Sequence, residues 1–214
     1  MSFIIFSCKV PYSKKDVFEE RAKLPKDEAP HFKNSLEWWY FTGHLKDDNK
    51  GKTLGLEYVI FHFNPTNVKG GWLVNMALSD PETKEFYYDY QFFPKSKYEF
   101  QDLPLNFNWS KKHFASSLKG QNGVYDIEAH FSNDSIYMNI STTAEKEVVF
   151  HDGIGYENYG DIAKAGYYSF PRLKTEGQIK LNGVEYNVNG DLWYDRQWNC
   201  SGVFDKKVAW DWFS

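Results

Sequence analysis

At 214 residues the chain is long enough for one large all-β domain with a real core, and too short for more than a domain and a half. Aromatic residues make up 19% of it against only three methionines, so interior bulk has to come from Phe, Tyr and Trp. The net charge of -4 is spread without a basic block, which gives no support to nucleic-acid capture or an anionic membrane surface, and no apolar run reaches the roughly 18 residues of a spanning helix.

Residues 1–33 read as an N-terminal leader or tether. Met1-Ser-Phe-Ile-Ile-Phe-Ser-Cys8 looks like the end of a secretory apolar region followed by a small residue and Cys, as in a bacterial lipoprotein signal whose charged start is missing. On that reading Cys8 is a lipidation candidate and a membrane tether, and the protein works outside the cytoplasm. The alternative is an ordinary N-terminal strand with a buried thiol. Two cysteines, Cys8 and Cys200, are too few for a disulfide scaffold. Pro11 and Pro25 bracket Ser13 to Lys23, a stretch expected to form one short helix capped by Ser13 or Asp16.

From residue 34 the period is two. Leu36 to Leu45 carries Leu36, Trp38, Tyr40, Thr42 and His44 on one face and Glu37, Trp39, Phe41, Gly43 and Leu45 on the other. Both faces are apolar near the middle, as in a strand covered on both sides or one wall of an aromatic cavity. A turn at Asp47 to Gly51 leads into a return strand, Thr53 to Asn64. Further strands are expected at Gly71–Ser79, Glu85–Phe93, Leu105–Trp109, His113–Leu118, Val124–Ser132 and Ser135–Thr143, separated by Gly, Pro, Asn and Asp clusters. An irregular Gly- and Tyr-rich loop, Asp152–Gly166, precedes strands at Gly166–Leu173, Gly177–Leu181 and Val184–Tyr194, the last two joined by the strong hairpin signal Asn182-Gly183. The fold class is therefore all-β, an up-and-down antiparallel barrel over residues 34–214. Trp210 to Ser214 reads as the middle of a strand, so the barrel is expected to be truncated at that end.

The six histidines are scattered without a His-x-His, His-x-x-x-His or Cys-x-x-Cys grouping, so neither a metal site nor another cofactor is expected. There is no Gly-x-Ser-x-Gly elbow, and Ser169, near Arg172, reads as an ordinary strand hydroxyl. Asp195 stands out because Trp193, Tyr194 and Trp198 surround it. Desolvation by those rings would favour its protonated, proton-donating form, whereas an ion pair to Arg196 or Arg172 would make it a structural anchor. Glu37, beside Trp38 and Trp39, poses the same choice.

Five strings then carry a resemblance: Glu37-Trp-Trp-Tyr-Phe-Thr-Gly-His-Leu45, Ala77-Leu-Ser-Asp80, Val149-Phe-His-Asp-Gly153, Tyr167-Tyr-Ser-Phe-Pro-Arg-Leu173 and Gly190-Asp-Leu-Trp-Tyr-Asp-Arg-Gln-Trp198, with Trp210-Asp-Trp-Phe-Ser214 after them. In this order they resemble the AttH/CrtC-type family of lipocalin-like proteins, which includes hydroxyneurosporene synthase (carotenoid 1,2-hydratase) and bacterial proteins called predicted secreted hydrolases. Two departures stand out: the family has Glu where this chain has Gln197, and it continues past Ser214 into a second lipocalin-like half.

The resemblance implies a calycin-type β-barrel, the first of two such halves, enclosing a hydrophobic small molecule such as an isoprenoid, carotenoid or other lipid. For the hydratase members it implies protonation of a double bond and water addition to a tertiary cation. Ring faces would stabilise that cation and a buried carboxylic acid would supply the proton. Transferred to this chain, Asp195 is the expected acid, with Glu37 and His151 as further catalytic candidates. Trp38, Tyr40, Trp193 and Trp198 would be the walls, with Tyr168 and Arg172 in the ligand-binding set and Tyr168 or His151 placing water. The first expectation is a binding domain with the guest in an aromatic-lined tube, and the second is an acid-catalysing hydratase.

Overall fold

The computed structural model describes residues 21–64, 70–94, 103–158 and 164–199. Twelve strands run through them: β1 Leu36–Asp47, β2 Lys52–Phe63, β3 Gly71–Asp80, β4 Glu85–Pro94, β5 Leu105–Lys111, β6 Phe114–Gln121, β7 Val124–His130, β8 Ile136–Ala144, β9 Val149–Phe150, β10 Tyr156–Asn158, β11 Lys164–Leu181 and β12 Val184–Trp198. They form one antiparallel sheet in the order β4-β3-β2-β1-β12-β11-β8-β7-β6-β5, with β9 and β10 added to β11. The sheet rolls into a nearly closed lipocalin-like barrel. Its two end strands, β4 and β5, meet through side chains, with Phe93 6.3 Å from Trp109 of β5 and 5.9 Å from Phe114 of the neighbouring β6 between ring centroids.

Turn chemistry closes the hairpins. Asn182 and Gly183 take φ values of 50° and 86°, the left-handed pair required by a two-residue turn between twisted strands. The Asp47 carboxylate accepts the Asn49 and Lys50 amides, both at 3.0 Å, and turns β1 into β2. At the next turn but one, Asp80 accepts the Glu82 amide at 3.1 Å while Lys52 bonds its other oxygen at 2.5 Å.

Sequence periodicity and structure differ at β11. The two expected strands Gly166–Leu173 and Gly177–Leu181 are a single strand of 18 residues, bent by a register shift between Phe170 and Leu173. Pro171 lies inside that shift, where its missing N–H costs no ladder bond. The loop expected at Asp152–Gly166 is also partly ordered, since β10 pairs with Lys164–Gly166. The lipidation candidate Cys8, most of the helix expected between Ser13 and Lys23, Cys200 and Trp210–Ser214 lie outside the described residues.

The interior is solid, which corrects the expected hollow tube. Trp39 and Phe41 on β1, Tyr58 on β2, Trp72 on β3, Phe107 on β5, Phe114 on β6 and Tyr125 on β7 all point inward and are at most 1% exposed. Rings meet across the barrel, Trp39 on Phe107 at 5.1 Å and Phe41 on Tyr125 at 5.4 Å, and the Tyr58 hydroxyl lies 2.7 Å from Ser116 Oγ. A cavity large enough for a lipid would leave its lining accessible. These side chains are instead buried against one another, with rings in contact across the barrel.

Residues 21–33, read from sequence as part of the tether, are built into the barrel's end. Ala22 belongs to the core, and a short 3-10 turn at Lys26–Glu28 carries Glu28 inside with no exposed surface. Its carboxyl accepts the Tyr125 hydroxyl, the Asn122 amide at 2.6 Å and, at longer range, Tyr168 and Tyr194 at 3.3 and 3.4 Å. Arg196 clamps the same segment, donating to Ala29 O at 2.8 Å and to Glu28 O at 3.3 Å. It also bonds Glu37 Oε2 at 2.6 Å and lies 3.9 Å over the Trp39 ring. Gly166 is fixed by the same cluster, because a Cβ there would fall 2.0 Å from the Trp198 indole.

These two carboxyls pull stability in opposite directions with pH. Burial dominates at Glu28 and raises its proton affinity despite the hydrogen bonds it receives. Burial also opposes the charge of Glu37, but Arg196 and hydrogen bonds from His31 and His62 outweigh it and hold that carboxyl well below the usual range. Stability from Glu37 is therefore present above pH 4.5, the unfolded value, and lost as pH falls; that from protonated Glu28 is full below pH 4.5 and lost as pH rises through the folded value. Glu28→Gln should flatten the decline in melting temperature that sets in as pH rises above 4.5, each ~1 kcal/mol appearing as roughly 2–4 °C in a chain of this size. Arg196→Met, which leaves Glu37 charged and buried, should cost about 3–5 kcal/mol in urea unfolding, with part recovered in the double variant Arg196→Met, Glu37→Gln.

Candidate active site

Strand parity decides where each expected site residue goes. On β12, Leu192, Tyr194, Arg196 and Trp198 face the core, so Trp193, Asp195 and Gln197 face out. On β1 the inward set is Glu37, Trp39 and Phe41, and the outward set is Trp38, Tyr40 and Thr42. Register aligns the outward groups: Tyr40 pairs with Asp195, Trp38 with Gln197 and Thr42 with Trp193. On the other side of β12, Ser169 of β11 pairs with Asp195 and Tyr167 with Gln197.

The candidate residues accordingly separate into two groups. Trp38, Tyr40, Trp193 and Asp195 share the outer face. Trp198, Tyr168 and Glu37 lie within the barrel end, where Trp198 stacks on His31 at 5.0 Å, Tyr168 reaches Glu28, and Glu37 is the partner of Arg196. The expected wall of four rings is thus three outer rings and one core ring. Arg172 is half exposed and engaged by Glu145 at 3.3 Å and Asp191 at 3.1 Å, away from Asp195. Arg196 points to the opposite face from Asp195, so the ion pair between these neighbours is not formed.

Asp195 is nevertheless buried, at 1% exposure, and its Oδ1 accepts the Ser169 hydroxyl. Ser169 Oγ in turn lies 2.9 Å from His151 Nε2, and His151 Nδ1 lies 3.5 Å from Glu157 Oε1. The irregular segment before β11 assembles this chain. β9 pairs Val149 with Ser169 and Phe150 with Tyr168, a 3-10 turn at His151–Gly153 follows, and β10 returns Glu157 beside Ala165. The His151 ring is held flat on Tyr167, with centroids 3.6 Å apart and planes within 11°.

A second carboxyl flanks Tyr40 from β2. Glu57 pairs with Thr42, and its Oε2 lies 3.5 Å from the Tyr40 hydroxyl. Burial raises the proton affinity of this half-buried carboxyl. Burial first, then the Glu57 charge and more weakly that of Asp195, pushes the Tyr40 phenol up to about 12. Tyr40 thus stays protonated at neutral pH between two carboxyl groups.

Beyond these residues the same face is apolar. Phe61 on β2 packs against Trp38 and Phe63, and β4 ends the face with Phe86, Tyr88, Tyr90 and Phe92 at 68%, 51%, 56% and 43% exposure. An uninterrupted exposed row of four rings exceeds what a soluble surface carries without a role. Strands β5 to β8 carry a further surface feature. An open groove of about 460 Å³ there, bordered by Asn108, Ser110, Glu128 and Tyr137, contains none of the residues expected to act. Among the described residues no cluster of three or more His, Cys, Asp or Glu side chains could hold a metal ion.

Sequence reasoning missed Ser169, Glu57 and Glu157 as participants. Glu57 carried a readable signal, a lone acid in the middle of an apolar strand face. Ser169 and Glu157 carried none, because their partner His151 reaches them through a two-residue strand and a bend.

Comparison with solved structures returns the same barrel. An AttH protein from Nitrosomonas europaea superposes with a TM-score of 0.70 at 23% identity, covering 87% of this chain and 58% of that one. Kievitone hydratase from Nectria haematococca superposes with a TM-score of 0.61 at 16% identity, covering 84% of this chain and 52% of that one. The chain therefore spans a little over half the length of either structure. No curated protein matches the sequence. The family model described as AttH-like matches residues 16–214, nearly the whole chain, and the protein belongs to the AttH-like family.

Proposed function

We propose that the outer face of β1, β2, β12 and β11 is an acid–base site for an apolar small molecule, and that the reaction it supports best is addition of water to an isoprenoid-type double bond. The observation that carries this reading is the Asp195 carboxyl, buried and bonded to Ser169 on the face that also carries Trp38, Tyr40 and Trp193. The likeness of the barrel to a kievitone hydratase favours hydration among acid-catalysed reactions. Because the interior is filled, the guest lies on this face and not within the tube.

The chemistry follows from the placement of the groups. Asp195 in its acid form donates a proton to the alkene carbon that leaves the more substituted cation. The faces of Trp193, Trp38 and Tyr40 stabilise that cation, by about 0.5–2 kcal/mol per well-placed ring. Water then adds from the Glu57 side of Tyr40. Glu57, ionised at that moment, takes the proton water loses and returns it to solvent, while the Tyr40 hydroxyl orients the oxygen. The row Phe86, Tyr88, Tyr90 and Phe92 lies four strands further round the nearly closed wall and is a separate apolar patch.

Two measurements test the reading. Binding of a fluorescent apolar probe should weaken roughly tenfold, about 1.4 kcal/mol, in the double variant Trp38→Ser, Phe61→Ser with the fold retained by circular dichroism. Unaltered affinity would remove the outer face as the binding surface. In water enriched in oxygen-18, a panel of prenylated phenols and acyclic terpenoids should gain label with the wild type. Asp195→Asn should slow this on the order of 10²–10⁴-fold while probe binding persists. Loss of probe binding together with thermal stability would instead make Asp195 a packing residue.

A further inference from the structure

Asp195 gives up a proton in each turnover proposed above, and Glu57, on the far side of Tyr40, takes the one released by water. Something must then restore the acid. Asp195 lies opposite Tyr40 of β1 in the strand register and bonds Ser169 of β11, and a phenol held up at about 12 is a poor proton source at neutral pH. Ser169 leads on to His151, which is partly exposed and therefore in exchange with solvent.

We propose that His151 is the proton store for Asp195, acting through the Ser169 hydroxyl with Glu157 and Tyr167 fixing the imidazole. This rests on the acid role assigned to Asp195. The heavy atoms satisfy two states without moving. In one, the imidazolium donates from Nδ1 to Glu157 and from Nε2 to Ser169 Oγ, and the Ser169 O–H donates to the Asp195 carboxylate. In the other, Asp195 is the acid and donates to Ser169 Oγ, the Ser169 O–H donates to His151 Nε2, and Nδ1–H still faces Glu157. Passage from the first to the second breaks the His151 Nε2–H bond and the Ser169 O–H bond, and forms a new Ser169 O–H bond and the Asp195 O–H bond. The net charge of the four groups is the same before and after. His151 then regains a proton from solvent, equal to the one Glu57 releases, and the cycle closes.

The stacking of His151 on Tyr167 at 3.6 Å matters here because transfer through a hydroxyl needs a fixed donor direction, and a freely rotating ring would lose it. His151 acts through Asp195 and is in that sense a positioning residue. A purely structural His151 would fill the same space without sharing a proton.

The test is a nuclear magnetic resonance titration of the full chain labelled with ¹⁵N at histidine and ¹³C at the aspartate carboxyl. In the wild type the His151 and Asp195 curves should share their inflections, as interacting sites do. Ser169→Ala should separate them into one inflection each, and Ser169→Thr, which keeps the hydroxyl, should keep them joined. A His151 curve identical in wild type, Ser169→Ala and Asp195→Asn would overturn the proposal. On any alkene labelled by the wild type, His151→Gln should lower kcat on the order of a hundredfold with KM unchanged. Joined curves with full labelling activity in Asp195→Asn would sink the hydration reading and leave the proton sharing intact. Separate wild-type curves with activity lost in Asp195→Asn would sink the relay alone.

Discussion

The Arg196 guanidinium lies without exposed surface at the barrel end, bonded to Glu37 and sandwiched between Trp39 at 3.9 Å and Trp198 at 5.4 Å. A charge so placed is tolerated only because its donors are occupied, by Glu37 and by the carbonyls of Glu28, Ala29 and Gln197. The consequence reaches beyond local stability. Side chains alternate along a strand, so fixing Arg196 inward fixes Asp195 outward, and Glu37 does the same for Trp38 and Tyr40 on β1. A slip of one residue would bury Asp195 in the core and turn Arg196 to the surface, and the single charge pair makes that slip costly.

This constraint also explains what was legible in the residues alone. Strand positions, the antiparallel all-β class and the Asn182-Gly183 turn follow from period-two patterning and turn chemistry, and they are present. Inside and outside were not legible on β1 and β12, because both faces carry rings: Trp39, Phe41 and Tyr194 in the core, Trp38, Tyr40 and Trp193 outside. Periodicity separates faces only where they differ in polarity. Here the polar residues point the wrong way for such a rule, since Glu37 and Arg196 are interior. Glu28 was hidden for a related reason, lying in a polar segment whose own pattern gives no sign that three tyrosines from β7, β11 and β12 would surround it.

The same aromatic content that suggested a hollow tube makes a solid one. A barrel of this kind has room for about one bulky side chain at each inward position, and rings at Trp39, Trp72, Phe107, Phe114 and Tyr125 fill that room, so nothing remains for a guest. A filled interior is a better foundation for surface chemistry than an empty one would be. Close packing fixes the backbone of β1, β12 and β11, and with it the relative positions of Tyr40, Asp195 and Ser169, which need agreement on the scale of about half an ångström for proton transfer.

The outer face adds what the core lacks, accessible apolar surface next to groups able to exchange protons. Asp195 is buried there and bonded to Ser169, and through Ser169 to the partly exposed His151, along a path that does not cross the apolar row of β4. Separation of the two routes has a physical reason. In the proposed reaction a carbocation formed on the rings would have to meet one water in a chosen direction, whereas protons would have to be replenished continually. In that scheme replenishment over β11 and substrate over β1 and β2 would occupy neighbouring parts of one outer face, so that proton exchange need not flood the surface on which the cation forms.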